Sequence, residues 1–163
     1  MGVYTFTTFE ETSPVAPGRL FKALCLDNHN VLPKVLPNVI KSIDFVEGNS
    51  TSVGCVKQFN FAEGAPYKYV KDKINELDVN NHYVKFTNIE GDALGDKLDH
   101  VVYEVKMTPS GSGTHYKMIA HYHTKGDAVI TETDPIVKGG KESMLNVYNA
   151  VVEHLSKNPS ACA

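Results

Sequence analysis

Arginine is almost missing from this sequence. Of 16 basic residues only Arg19 is one, and the formal net charge is −3. Phosphate recognition favours clustered Arg and Lys on a basic domain. No basic run occurs, so no nucleic-acid partner is expected. Cysteine is scarce too: Cys25, Cys55 and Cys162 are odd in number and widely scattered. That excludes a disulfide framework and, without a CxxC pair, a zinc centre, and it predicts a reducing compartment, the cytosol. No apolar run is long enough to cross a bilayer, so no membrane association is expected. The first residues lack the basic flank and apolar core of a secretory signal. Phe6 stands where Ser or Thr would complete a myristoylation signal after Gly2. The Gly-Lys-Ser/Thr of a nucleotide-binding P-loop is absent.

What is present suits one compact domain over residues 1–163, with 42% apolar and 21% charged residues. Residues 2–11, rich in Thr, Phe and Tyr, read as a first strand. A short helix is expected over 19–25, and a second one bounded by Pro33 and Pro37. Six further strands are expected over 39–46, 54–61, 67–77, 82–89, 98–107 and 114–123. Polar turns separate them, which implies hairpins and an antiparallel meander. Asp134-Pro135 then supplies an N-cap and a first-turn proline. Val137, Gly140, Met144, Val147, Val151 and Leu155 follow at helical spacing up to Asn158-Pro159. The predicted class is α+β, with a sheet wrapped around one amphipathic C-terminal helix.

Strand alternation separates two faces. Phe59 and Phe61 share one; so do Val101, Tyr103, Val105 and Met107, and Tyr116, Met118, Ala120 and Tyr122. His82 and Asn88 add polar groups on the fifth strand. This mixture fits either a core edge with phenol hydroxyls in water or a ligand cavity with apolar walls and a few polar anchors. From the residues alone the core edge is favoured. Gly139, Gly140 and Ser143 place little bulk on the helix where it should fill space. Paired glycines there cost about 1 kcal/mol each, which fits a helix start that opens to admit a ligand.

Five stretches, in order, carry a resemblance: Arg19-Leu20-Phe21-Lys22-Ala23, Leu32-Pro33-Lys34-Val35, Tyr69-Val70-Lys71-Asp72, Ile89-Glu90-Gly91-Asp92 and Tyr122-His123-Thr124-Lys125-Gly126-Asp127. The chain resembles the birch-pollen major-allergen family, the class-ten pathogenesis-related proteins of plants. The resemblance implies a helix-grip fold: a seven-stranded antiparallel sheet around a long C-terminal helix, two short helices, and a large internal cavity. It implies binding of flavonoids, cytokinins, other phenolics, steroids or fatty acids. The implied lining comprises Leu24, Cys25, Asn30 and Leu32, then Phe59, Phe61, Tyr67, Tyr69 and Asp72. It continues with His82, Val84, Phe86, Tyr103 and Val105, then Tyr116, Met118, Gly140, Ser143, Met144 and Val147. A monomer without a cofactor is expected. The chain departs from the family in its Glu47–Gly54 loop, which has only two glycines and is a poor phosphate cradle.

Catalysis has two candidate forms. Ribonuclease activity, attributed to some relatives, involves a Glu-x-Tyr pair on the last helix. Here Val152-Glu153-His154 stands at those positions, with Glu153 offset by one residue and so turned about 100°. Asp99 matches a further acidic position with a shorter side chain. The second form is condensation or isomerisation of a metabolite by a cavity group with a shifted pKa. Asp72, Tyr103, His82 and Lys57 qualify, with Lys57 expected near the cavity mouth. His115, His121 and His123 alternate onto the outer face of the last strand, where a polar surface accounts for them without a metal. The functional expectation is a reversible carrier of small amphipathic molecules, with an enzyme as the alternative.

Overall fold

The computed structural model describes residues 1–163. Seven strands form one antiparallel sheet: β1 (Val3–Ser13), β2 (Ile40–Glu47), β3 (Val56–Phe61), β4 (Tyr69–Asp78), β5 (Tyr83–Gly91), β6 (Leu98–Ser110) and β7 (Gly113–Thr124). Their order is β1-β7-β6-β5-β4-β3-β2, so β2 to β7 form a meander and β1 closes onto β7. The register runs from Val3 opposite His123 to Ser13 opposite Thr114, with a bulge between Thr7 and Phe9. Thr124 adds a side-chain clasp, its hydroxyl lying 3.0 Å from the Gly2 amide. The helix-grip architecture expected from the sequence is present.

The long helix α3 (Pro135–Lys157) begins where local chemistry dictates. Asp134 accepts a hydrogen bond from the Ile136 amide at 3.2 Å, and Pro135 occupies the first turn. Val137, Tyr148, Val151 and Leu155 are its buried residues. They join Phe9, Leu20, Val105, Met107 and Met118 in the main core. No helix is long and apolar enough to cross a membrane.

The two short helices differ from their sequence-based bounds. α1 (Pro17–Phe21) runs straight into a π-helical turn, Lys22–Leu26, which ends with the Asp27 amide on the Lys22 carbonyl at 2.7 Å. α2 (Asn28–Val35) passes through Pro33 and is not bounded by it. A proline forgoes the bond to residue i−4. Here it sits two residues from the helix end, beside the buried Leu32, so tertiary packing sustains the last turn. The Glu47–Gly54 loop is tied down: the Thr51 hydroxyl donates to the Leu26 carbonyl at 2.6 Å.

The one arginine clamps the end of α3. Arg19 Nη2 donates to the carbonyls of Leu155, Asn158 and Ala161 at 3.0, 2.9 and 3.0 Å, and Nε donates to Ala161 at 3.1 Å. A planar fork of donors suits this task where a lysine point charge does not. Arg19→Ala is expected to lower stability by about 2 kcal/mol, with Arg19→Lys recovering less than half. Urea midpoints check this; an unchanged midpoint in Arg19→Ala would leave the clamp without energetic weight.

Candidate functional site

A cavity of about 290 Å³ lies between the concave face of the sheet and α3. Pleating supplies most of its wall, because alternate residues of every central strand face inward. β3 contributes Phe59 and Phe61, β5 Val84 and Phe86, β6 Tyr103 and Val105, and β7 Tyr116 and Met118. The π-helical turn gives Leu24 and Cys25, α2 gives Leu32, and the β3–β4 connection gives Tyr67. Gly140, Ser143, Met144 and Val147 of α3 close it. Exposed Pro66 and Ser143 mark the mouth. Phe86 and Tyr103 stack with centroids 5.3 Å apart.

The two glycines of α3 lie beneath phenol hydroxyls. A methyl group placed on Gly140 would stand 3.6 Å from the Tyr122 hydroxyl and 3.9 Å from that of Tyr103; one on Gly139 would stand 3.7 Å from that of Tyr67. Three phenol hydroxyls therefore converge where the helix offers no side chain. Burial raises the Tyr103 and Tyr116 pKa values well above the ordinary range. Both remain neutral donors at physiological pH.

Two charged residues face this space. Lys57 is only 3% exposed, enclosed under α2 and not at the mouth as the sequence suggested. Its Nζ donates to Asn28 Oδ1 at 2.6 Å and to the Cys25 carbonyl at 3.4 Å. The Phe45 ring centroid lies 5.4 Å away. Burial lowers the amine's pKa, opposed by nearby Cys55, Cys25, Asp72 and Asp27. Asp72 is the cross-strand partner of Lys57, at a β4–β5 register shift. It is half-buried and lines the cavity. Burial pushes its carboxyl up to about 7, against a hydrogen bond from Asn88 Nδ2 and the charge of Lys57. The Cys25 thiol, pushed up to about 12 by burial, stays protonated.

Three residues expected in the lining lie elsewhere. Tyr69 pairs with Asn60 on the outer face, while its neighbour Val70 faces inward opposite Phe59. Its hydroxyl donates to Glu90 at 2.9 Å. His82 belongs to the β4–β5 turn with φ of 52°, which removes it from the strand's alternation and sets its ring edge-on to Phe21. Asn30 is exposed and donates to Asp27 at 2.7 Å. In the opposite direction, Asn28 is an enclosed lining residue that the sequence reading did not assign, and Lys57, expected near the mouth, lies deep in the wall. Strand parity with Phe59 is what turns Lys57 toward the cavity in the sequence reading. No sequence signal brings Asn28 to it.

The Gly91-Asp92 motif ties the end of β5 to the start of β4. Gly91 has φ of 142°, and a Cβ there would meet the Tyr69 carbonyl at 2.5 Å. Asp92 accepts from the Lys68 and Tyr69 amides, at 2.8 and 3.2 Å. The ribonuclease candidates are scattered over the surface. Asp99 pairs with His100 at 2.7 Å, and Glu153 with Lys157 at 2.7 Å. On the outer face of β7, His121 bridges Thr5 and Glu104, His115 meets Glu10, and His123 stacks on His100.

Known proteins of the same shape and sequence place this geometry. A family model described as "Pathogenesis-related protein Bet v 1 family" matches residues 1–158. The major allergen Mal d 1 of Malus domestica is 45% identical over 161 residues, 99% of each chain. The pathogenesis-related protein STH-21 of Solanum tuberosum is 44% identical over 164 residues, covering both chains completely. The crystal structure of Ara h 8.0201 superposes with a TM-score of 0.84 at 33% identity, covering 96% of this chain and all of the other. With sequence match, strand order and gripped helix in agreement, the chain belongs to the Bet v 1 family of pathogenesis-related proteins.

Proposed function

We propose that this protein is a reversible carrier or buffer of small amphipathic plant metabolites or hormones, acting in the cytosol as a monomer in defence or stress responses. Residues 1–163 then form one ligand-binding domain. The observation that carries this reading is the convergence of the Tyr67, Tyr103 and Tyr122 hydroxyls over two glycines in a mostly apolar wall. A ligand gains most of its binding energy by burying apolar surface, about 25 cal/mol per Å². The phenols and Asp72 orient its polar atoms. A volume of about 290 Å³ favours flat ligands of two or three rings, such as flavonoids, cytokinins and other phenolics. Steroids and fatty acids belong to the same class of amphipathic ligand.

Native mass spectrometry of the protein purified from its own tissue tests this. One small phenolic or hormone per chain is the expected result. An empty protein that also takes up no such compound on titration would overturn the carrier reading. A second reading, an enzyme acting on the same class of molecule, is favoured by one observation. Lys57 and Asp72 face each other across two strands with both pKa values moved toward neutrality.

A further inference from the structure

We propose that Lys57 is a carbonyl-reactive amine: it forms an imine with a small aromatic aldehyde held in the cavity, and Asp72 moves the protons. This rests on the cavity reading above and adds to it a substrate class and a reacting atom.

Placement comes first. Lys57 lies two residues before Phe59, so the pleat sends its chain to the same face, and the amine is enclosed. Its hydrogen bonds decide which form the site suits. An ammonium has three N–H groups to satisfy, whereas a neutral amine has two and a lone pair. The site offers two acceptors, Asn28 Oδ1 and the Cys25 carbonyl, and both are neutral. A neutral amine is fully served by them and keeps its lone pair free. The Phe45 ring, 5.4 Å from Nζ, favours the ammonium, but near the outer limit of about 6 Å for that contact. A carboxylate paired directly with Nζ would fix the charged form; no salt bridge joins Lys57 to Asp72, and Asp27 is within ion-pair reach of His29.

The titratable groups around Nζ are Cys25, Cys55, Asp27, His29 and Asp72. Cys25 is no rival nucleophile, because its thiol stays protonated. Asp72, held near 7, populates both acid and base forms at neutrality, as a proton shuttle requires.

The step balances with water as the only by-product. The Nζ lone pair attacks the aldehyde carbon, the carbonyl π bond breaks, and a proton passes from nitrogen to oxygen to give a carbinolamine. The Asp72 carboxyl then protonates the hydroxyl, water leaves, and the C=N bond forms. The Asp72 carboxylate takes the proton left on nitrogen. Nothing is oxidised or reduced, and hydrolysis reverses the sequence. When the Asp72 carboxyl returns that proton to nitrogen, the iminium is a stronger electrophile than the aldehyde, open to a carbon nucleophile beside it.

The test uses the full chain with benzaldehyde and sodium cyanoborohydride, which reduces an imine to a stable benzylamine. Each unit by which an amine's pKa falls raises its neutral fraction near pH 7 about tenfold. The Lys57 amine is shifted down by burial, so peptide mapping should show benzylation at Lys57 ahead of every other lysine. Benzyl alcohol, which carries the same ring but cannot form an imine, should suppress it. Lys57→Met should still bind benzyl alcohol and lose the fast adduct, and Asp72→Asn should slow it. Displacement of an anilinonaphthalenesulfonate dye by benzyl alcohol is followed in parallel. Uniform labelling across lysines with dye displacement intact overturns the imine alone. If benzyl alcohol displaces no dye, the cavity reading falls and takes the imine with it. Per-lysine rates in the unmutated protein decide the matter even if Lys57→Met fails to fold.

Discussion

Leucine in place of Gly140 is expected to abolish ligand uptake while making the protein more stable. A Cβ at this position meets the Tyr122 and Tyr103 hydroxyls at 3.6 and 3.9 Å, ordinary contact distances that demand no rearrangement. Replacing a glycine within a helix by a good helix former gains about 1 kcal/mol. The remaining carbons of leucine enter the cavity below the phenols and occupy the space a ligand ring needs. Affinity for a phenolic ligand should fall at least about a hundredfold, roughly 3 kcal/mol. Gly140→Ala is the control: it gains the same helix propensity and keeps most of the volume, so affinity should change only a few-fold. Thermal unfolding and dye displacement together read the result. A folded Gly140→Leu protein with undiminished affinity would place the ligand outside this cavity.

Asp72→Asn is expected to stabilise the protein strongly in mild alkali and hardly at all in acid. The carboxyl rises from 3.8 in the unfolded chain to about 7 in the fold. Between those values the native state holds a proton that the unfolded chain has released. Linkage then makes stability fall as pH rises through this window and stay low above it. Asparagine cannot ionise, so the variant lacks this slope. The difference should be about 3–4 kcal/mol near pH 8 and close to zero near pH 4, before subtracting what Lys57 loses with its neighbouring charge. Urea unfolding across that range checks it. A difference independent of pH would show that the carboxyl is not raised.

The parts of the fold legible in the sequence are those that rest on short-range chemistry. Asp134-Pro135 starts α3 and Asn158-Pro159 follows its end because capping is a matter of adjacent residues. Pleating alone puts Phe59 with Phe61, Tyr103 with Val105, and Tyr116 with Met118. The misplaced residues fail where a local rule meets a longer-range constraint. His82 reads as the first residue of a strand, but the Asn80-Asn81 turn carries it into positive φ. Tyr69 is one residue out of phase with Asp72 and Val70, and its sequence motif gave no hint of which residue the register turns inward. Pro33 stops an isolated helix, not one held by packing. The Lys57–Asn28 contact joins residues 29 apart, and only the completed sheet with α2 laid across it makes them neighbours.

The closure of β1 onto β7 sets the order in which this chain can assemble. The Gly2–Thr124 clasp joins residues 122 positions apart, so the first strand to leave the ribosome waits for the last strand before it can pair. Until then Phe6 and Phe9 have no sheet to cover them, while the β2–β7 meander can zip hairpin by hairpin. Non-local pairing of this kind slows folding and exposes apolar strand to aggregation. The N-terminal strand is therefore the segment that a chaperone should hold on the nascent chain, and the last to become protected when the protein refolds.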